Sequence, residues 1–184
     1  MIEEAIPLYN QLIDQNPYSA PYWFGLARCH FEDLNFDQAI DACDYALIGD
    51  DEFADAYVMK GHCFYQLGNE DAALECYQKA EQMHGLAPEF VYTYIGLCKV
   101  SKGEWEEGYE NLEKAIQANE AEETPAPTLP SLYANAGICL SKMKKKRKAH
   151  QYCKKAQKLE PKDPEAYLIE GRMYVEEGDY EKGI

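Results

Sequence analysis

The stretch ADAYVMKGHCFYQLGNEDAALECYQKA, Ala54 to Ala80, decides the fold. Tyr57 and Gly61 stand four apart, and so do Ala73 and Tyr77, with Ala80 one turn further on. Both halves therefore carry apolar and small residues at the spacing of one helix face. Between them Leu67-Gly68-Asn69 breaks the pattern, so the stretch reads as helix, short turn, helix. Two antiparallel helices approach closely only where side chains are small. Gly61 on the first and Ala73 on the second are expected to remove the obstacle between them, with aromatics filling the space above and below.

Moving outward, the same pattern returns in segments beginning at Ala20, Ala54, Glu89, Pro130 and Pro164. Each has an aromatic residue three places in: Trp23, Tyr57, Tyr92, Tyr133 and Tyr167. Four places later comes a small one: Ala27, Gly61, Gly96, Gly137 and Gly171. The second halves repeat Ala39, Ala73, Gly108 and Ala149, then Ala46, Ala80, Ala115 and Ala156, with Cys43, Tyr77, Leu112 and Cys153 between them. The spacing from Ala20 to Ala54, and from Pro130 to Pro164, is 34 residues. On these residues the chain resembles the tetratricopeptide repeat (TPR) family over nearly all of its length. The resemblance implies an all-α fold, a right-handed superhelical solenoid of antiparallel helix pairs, of about five repeats with incomplete ones at both ends.

The repeats are expected as complete units over 20–53, 54–88, 89–129 and 130–163, in a single solenoid over 1–184. Residues 1–19 read as the second helix of a partial unit, with Ala5, Tyr9, Leu12 and Pro17 in the matching places, and 164–184 as another partial unit that stops one turn into its second helix. Pro7 limits how far upstream the first helix begins, while Pro17 and Pro161 end second helices. Both ends look cut, so the chain reads as a piece of a longer array, or as one whose ends another chain covers. Between Glu89 and Pro130 the period stretches to 41 residues. The surplus sits in Ala121-Glu122-Glu123-Thr124-Pro125-Ala126-Pro127, an expected exposed loop, read first as a tolerated insertion and otherwise as a contact loop.

Composition narrows the function. A hydrophobic content of 46% supports a packed core, and a net charge of −15 argues against whole-surface attraction to nucleic acid or anionic lipid. The seven cysteines contain no Cys-x-x-Cys pair. Cys29, Cys63, Cys98 and Cys139 instead recur just after the small residue, as packing thiols in a reducing, cytoplasmic setting would. No metal site and no cofactor are expected. The N-terminus lacks a basic, then apolar, export signal, and no run of apolar residues is long enough to span a bilayer. His30, His62, His84 and His150 fall in different repeats, and none joins a nucleophile, metal or phosphate-loop motif, so no enzyme activity is expected.

The family resemblance implies a concave groove, lined by the first helix of each repeat, that takes an extended or helical segment of a protein partner. Projected at helical periodicity, the places not used for packing are Phe24, Arg28 and Phe31, then Val58, His62 and Tyr65, then Thr93, Leu97 and Ser101. Ala134, Ile138 and Lys142 follow, then Leu168 and Arg172. Helices in a solenoid bury more than one face, so each apolar member is also a candidate for the core between repeats. One branch of the family grips acidic C-termini with Lys and Asn in these places. Here only Arg28 could serve a carboxylate, so an apolar or amphipathic peptide is the expected ligand.

Residues 142–162 hold ten of the 18 Lys and Arg and one acid, Glu160, a local charge of +9 that includes the run Lys144-Lys145-Lys146-Arg147-Lys148. The run should fall at a solvated turn. Besides solubility it admits docking on an acidic protein, attraction to the acidic repeats of another copy, a nuclear-import signal, or a nucleic-acid patch. Few aromatics accompany it, which weakens the last. A regulatory or targeting segment of a larger enzyme or nucleic-acid-associated complex is the alternative to a peptide-binding scaffold, and self-association through the cut ends is a further possibility.

Overall fold

Five turns share one geometry. At Leu34, Gly68, Gly103, Lys144 and Gly178 the backbone takes the left-handed conformation, with φ of 60°, 73°, 75°, 63° and 81°. The next amide in each case (Asn35, Asn69, Glu104, Lys145, Asp179) donates to the carbonyl five residues back, at 2.8–2.9 Å. This is the Schellman closure, which satisfies carbonyls that a helix end leaves unpaired and reverses the chain within a few residues.

The computed structural model describes residues 2–83, 86, 88–122, 126–179 and 181. Among them are ten helices and no strand: α1 Ile2–Gln15, α2 Ala20–Glu32, α3 Phe36–Gly49, α4 Ala54–Gln66, α5 Glu70–Glu81, α6 Pro88–Ser101, α7 Trp105–Ala121, α8 Leu129–Lys142, α9 Lys146–Leu159 and α10 Pro164–Glu177. Some starts are marked by side chains that satisfy free amides. The Asn69 side chain accepts from the Ala72 amide, and the Asp163 carboxylate accepts from the Glu165 amide. Proline occupies the first turn of α2, α8 and α10, where its missing N–H costs nothing.

Helix contacts group the chain into two compact bodies, Met1–Ala87 and Pro88–Ile184. In the N-terminal body α1 to α5 pack each on the next and α2 also touches α4; in the C-terminal body α6 to α10 do the same, with α6 on α8 and α8 on α10. Each body thus stacks helix pairs, first helix against first helix. The N-terminal core is built on Ala27, Ala42, Cys43, Ala46 and Ala56, and the C-terminal one on Leu112, Tyr133, Leu140, Cys153 and Met173.

The small residues act as expected, with one difference of partner. A Cβ placed on Gly61 would stand 2.6 Å from Cε1 of Tyr77, so the obstacle avoided there is the Tyr77 ring rather than Ala73. All seven cysteines are free, and all but Cys29 are buried. Burial pushes the thiols of Cys63, Cys139 and Cys153 up to about 12.

Two expectations change. Pro7 lies inside α1, which starts upstream of it at Ile2. Part of the surplus after Glu89 is helix: α7 has 17 residues, against 14 in α3 and α9, and reaches Ala121. Glu122 and Pro127 are exposed, while Glu123, Thr124 and Pro125 lie outside the described residues. So do His84 and residues 182–184, where the start of a further second helix was expected.

Candidate functional site

In the N-terminal body the first helices are α2 and α4. Arg28 is exposed, with Phe24, Phe31, His62 and Tyr65 partly buried. Phe24 meets Phe53 edge-on at 5.1 Å and packs against the core. Phe31 lies between Phe36, at 5.5 Å, and His62, at 6.4 Å. His62 Nδ1 is 2.7 Å from the Tyr77 hydroxyl, and burial holds the imidazole down at about 4, neutral at pH 7. Val58 is 6% exposed and therefore belongs to the core. First helices touching first helices remove part of the face that helical projection leaves open. Val58 falls on the covered part, Phe24 is half-covered, and Arg28, Phe31 and Tyr65 keep exposed surface.

In the C-terminal body Thr93 spends its hydroxyl on its own helix, donating to the Glu89 carbonyl at 2.8 Å. Leu97 packs against the core, Ala134 is buried, and Ser101 is exposed. Three predicted residues come together between α8 and α10, where Ile138, Lys142 and Arg172 line one recess of about 160 Å³. Ile138, Ile169 and Met173 give it an apolar side, while Lys142, Arg172 and Glu176 are charged. Lys142 pairs with Glu176 at 3.0 Å, whereas Arg172 is exposed and has no ion-pair partner among the described residues. Leu168, 60% exposed, is not in this recess. It lines a shallower hollow of about 650 Å³ along α10 with Tyr167 and Val175, which Arg172 also borders.

The basic run straddles the α8–α9 turn, and Lys144, Lys145, Lys146, Arg147 and Lys148 are all exposed. Not all of its charge is free. Lys148 sits over the rings of Tyr109 and Tyr152, at 4.8 and 5.3 Å, and donates to the Tyr109 hydroxyl. Lys155 sits 4.6 Å over Tyr133 and donates to its hydroxyl at 2.8 Å. Tyr133 in turn donates to Glu120, and Tyr152 to Glu113 at 2.6 Å. Desolvation and then Glu120 raise the Tyr133 phenol above its ordinary range, so it stays protonated and able to donate. Lys146 approaches Glu177 at 3.8 Å. Nearby, His150 bridges to Glu170 at 3.0 Å, and Glu170 also accepts from Gln157 at 2.7 Å. This tyrosine–lysine–glutamate network escapes a reading of the sequence, because its tyrosines come from α7, α8 and α9 and share no local spacing. Arg147, Lys154, Lys158 and Lys162 remain exposed with no ion-pair partner among the described residues.

No helix among the described residues is long and apolar enough to cross a membrane, and no group of three His, Cys, Asp or Glu there could hold a metal ion. Models of the tetratricopeptide repeat match residues 2–52, 54–84 and 130–163. The chain is 33% identical over 79 residues to small glutamine-rich tetratricopeptide repeat-containing protein 2 of Mycosarcoma maydis. That alignment covers 43% of this chain and only 22% of the relative, so the chain spans about a fifth of that protein. Among solved structures it is similar to YrrB, described as a TPR protein with an unusual peptide-binding site (TM-score 0.77, 19% identity, 96% of this chain and 87% of that one). It is also similar to MamA (TM-score 0.76, 22% identity, 88% and 90%) and to the APC/C hetero-tetramer Cut9–Hcn1 (TM-score 0.79, 20% identity, all of this chain and 35% of that one). The repeat register, the helix-pair stacking and these matches agree: the chain belongs to the tetratricopeptide repeat family, whose repeats serve as protein-interaction scaffolds.

Proposed function

We propose that this protein is a non-catalytic scaffold that holds an apolar or amphipathic peptide segment of a partner protein on the first-helix faces of its repeats. The observation that carries this reading is the recess between α8 and α10, where Ile138, Ile169 and Met173 sit beside Lys142 and Arg172. An apolar side chain from a partner would fill it, and an acid one turn away on the same amphipathic segment would meet Arg172. Arg28, Phe31 and Tyr65 offer a similar mixture on the N-terminal body. The seven free thiols suit a reducing compartment such as the cytoplasm.

The test is a peptide array followed by NMR titration of the hits. Amphipathic peptides should perturb amides around Ile138, Ile169 and Arg172, and Ile138→Glu or Arg172→Glu should weaken binding about tenfold or more without changing the helical signal. Binding restricted to acidic C-terminal tails, or binding indifferent to both substitutions, overturns the reading.

A further inference from the structure

The second helices α3 and α9 have the same buried stripe and opposite outer faces. Ala39, Cys43 and Ala46 of α3 and Ala149, Cys153 and Ala156 of α9 occupy the same repeat positions, and all are essentially inaccessible. With the inner faces in register, the outer positions correspond as well: Asp37 stands where Arg147 does, and Asp44 where Lys154 does. Asp37 and Asp41 are exposed, and no ion pair engages them among the described residues. Asp44 is half-exposed even while paired with Lys60. On α9 Arg147, Lys154 and Lys158 are exposed and unpaired among the described residues. Asp37 to Asp44 and Arg147 to Lys154 each span seven residues, about 10 Å of helix, so the two charge rows match in length.

We propose that the outer face of α9 docks on the outer face of α3 of a second copy of this chain. The large-scale charge runs the same way. The N-terminal body carries 16 acids against three cations, while residues 142–162 carry ten cations and one acid. Beside the acids α3 exposes Tyr45 and Ile48, the latter 69% exposed, against which the aliphatic stems of Lys154 and Lys158 can lie. Arg147 sits in the first turn of α9, where the helix dipole disfavours a cation, and an acid from another molecule relieves that. Because the two faces differ, one contact leaves an unused α9 face on one copy and an unused α3 face on the other. Association therefore extends with concentration unless a second contact closes it.

Sedimentation velocity over a concentration series tests this. At low salt, about 0.02 M, the mass should rise with concentration; at about 0.5 M, where screening is short-ranged, it should fall to that of one chain. A variant with Arg147→Glu, Lys154→Glu and Lys158→Glu, and another with Asp37→Lys and Asp41→Lys, should each stay monomeric, and their equimolar mixture should associate again. Circular dichroism confirms folding of both. Should either be unstable, the milder Arg147→Gln, Lys154→Gln pair should weaken association about tenfold. The proposal is overturned if the wild type is monomeric at low salt, as it would be were the faces to pair within one chain. It is equally overturned if a single charge-reversed variant associates like wild type, if the mixture does not associate, or if the wild type binds a labelled oligonucleotide but not itself.

Discussion

Lys144 holds, between α8 and α9, the left-handed backbone conformation that Gly103 holds between α6 and α7, with φ of 63° against 75°. A side chain in that conformation costs about 1–2 kcal/mol that glycine does not incur. Leu34 is in the same position between α2 and α3, and at 72% exposure its side chain contributes little packing. Lys144→Gly and Leu34→Gly should therefore stabilise the protein. The extra freedom glycine gives the unfolded chain offsets part of the gain, leaving about 0.5–1 kcal/mol each. Urea titration of each variant against wild type reads the difference, and a loss of stability in both would refute the strain argument.

Gly61 and Gly137 hold equivalent places, but the space around them differs. A Cβ on Gly61 would come 2.6 Å from the buried Tyr77 ring, whereas one on Gly137 would come 3.1 Å from Cys153 Sγ. In the first case a fully enclosed ring that also contacts His62 must shift. In the second, a displacement of a few tenths of an ångström suffices. Alanine gains about 1 kcal/mol of helix propensity over glycine at either place, while overpacking costs about 1–3 kcal/mol. Gly61→Ala should lower the stability by about 1 kcal/mol and Gly137→Ala should leave it near wild type, as measured by chemical denaturation.

These comparisons also mark what the chain's residues make legible. The pairing of helices is written in small residues at fixed intervals, since a close helix approach tolerates nothing else, and Gly61 and Gly96 mark it openly. The turns at Gly68 and Gly103 are legible for the same kind of reason. The turn at the basic run around Lys144 follows from the repeat register, but neither Lys144 nor Leu34 announces the left-handed conformation, which is imposed there by the helices on either side rather than by the residue. Helical projection finds the first-helix face but not how much of it the next first helix covers, so Val58 looks available and is buried, and Phe24 is half-covered by its packing against the core. Lys148 and Lys155 read as part of a solvated charge run. The rings they sit over come from other helices, and only the assembled C-terminal body places them together.

Thiol reactivity should follow burial. Attack on a disulfide reagent requires the thiolate, and burial both excludes the reagent and raises the thiols of Cys63, Cys139 and Cys153 to about 12. Cys29 alone is not buried. Titration with an aromatic disulfide reagent near pH 8 should show one fast thiol, abolished by Cys29→Ser, with the others reacting only as denaturant unfolds the chain. Several fast thiols in the native protein would contradict the packing described here.

His62 should make the N-terminal body acid-sensitive. Its imidazole, desolvated beside Phe31 and Tyr77, titrates at about 4 in the folded chain, below the 6.5 of an unperturbed histidine. Between those values the unfolded chain binds a proton that the folded chain refuses, so stability falls as the pH drops from 6.5 towards 4. Above 6.5 both states are neutral at this site and the contribution is complete; below 4 both are protonated and it is gone. The loss across the window is on the order of 3 kcal/mol. His62→Gln removes the titration while keeping a polar group near the Tyr77 hydroxyl. Urea midpoints at pH 7 and pH 5 should therefore converge in the variant by comparison with wild type. An unchanged pH dependence in His62→Gln would mean that the imidazole is hydrated and titrates normally, which the contacts with Phe31 and Tyr77 argue against.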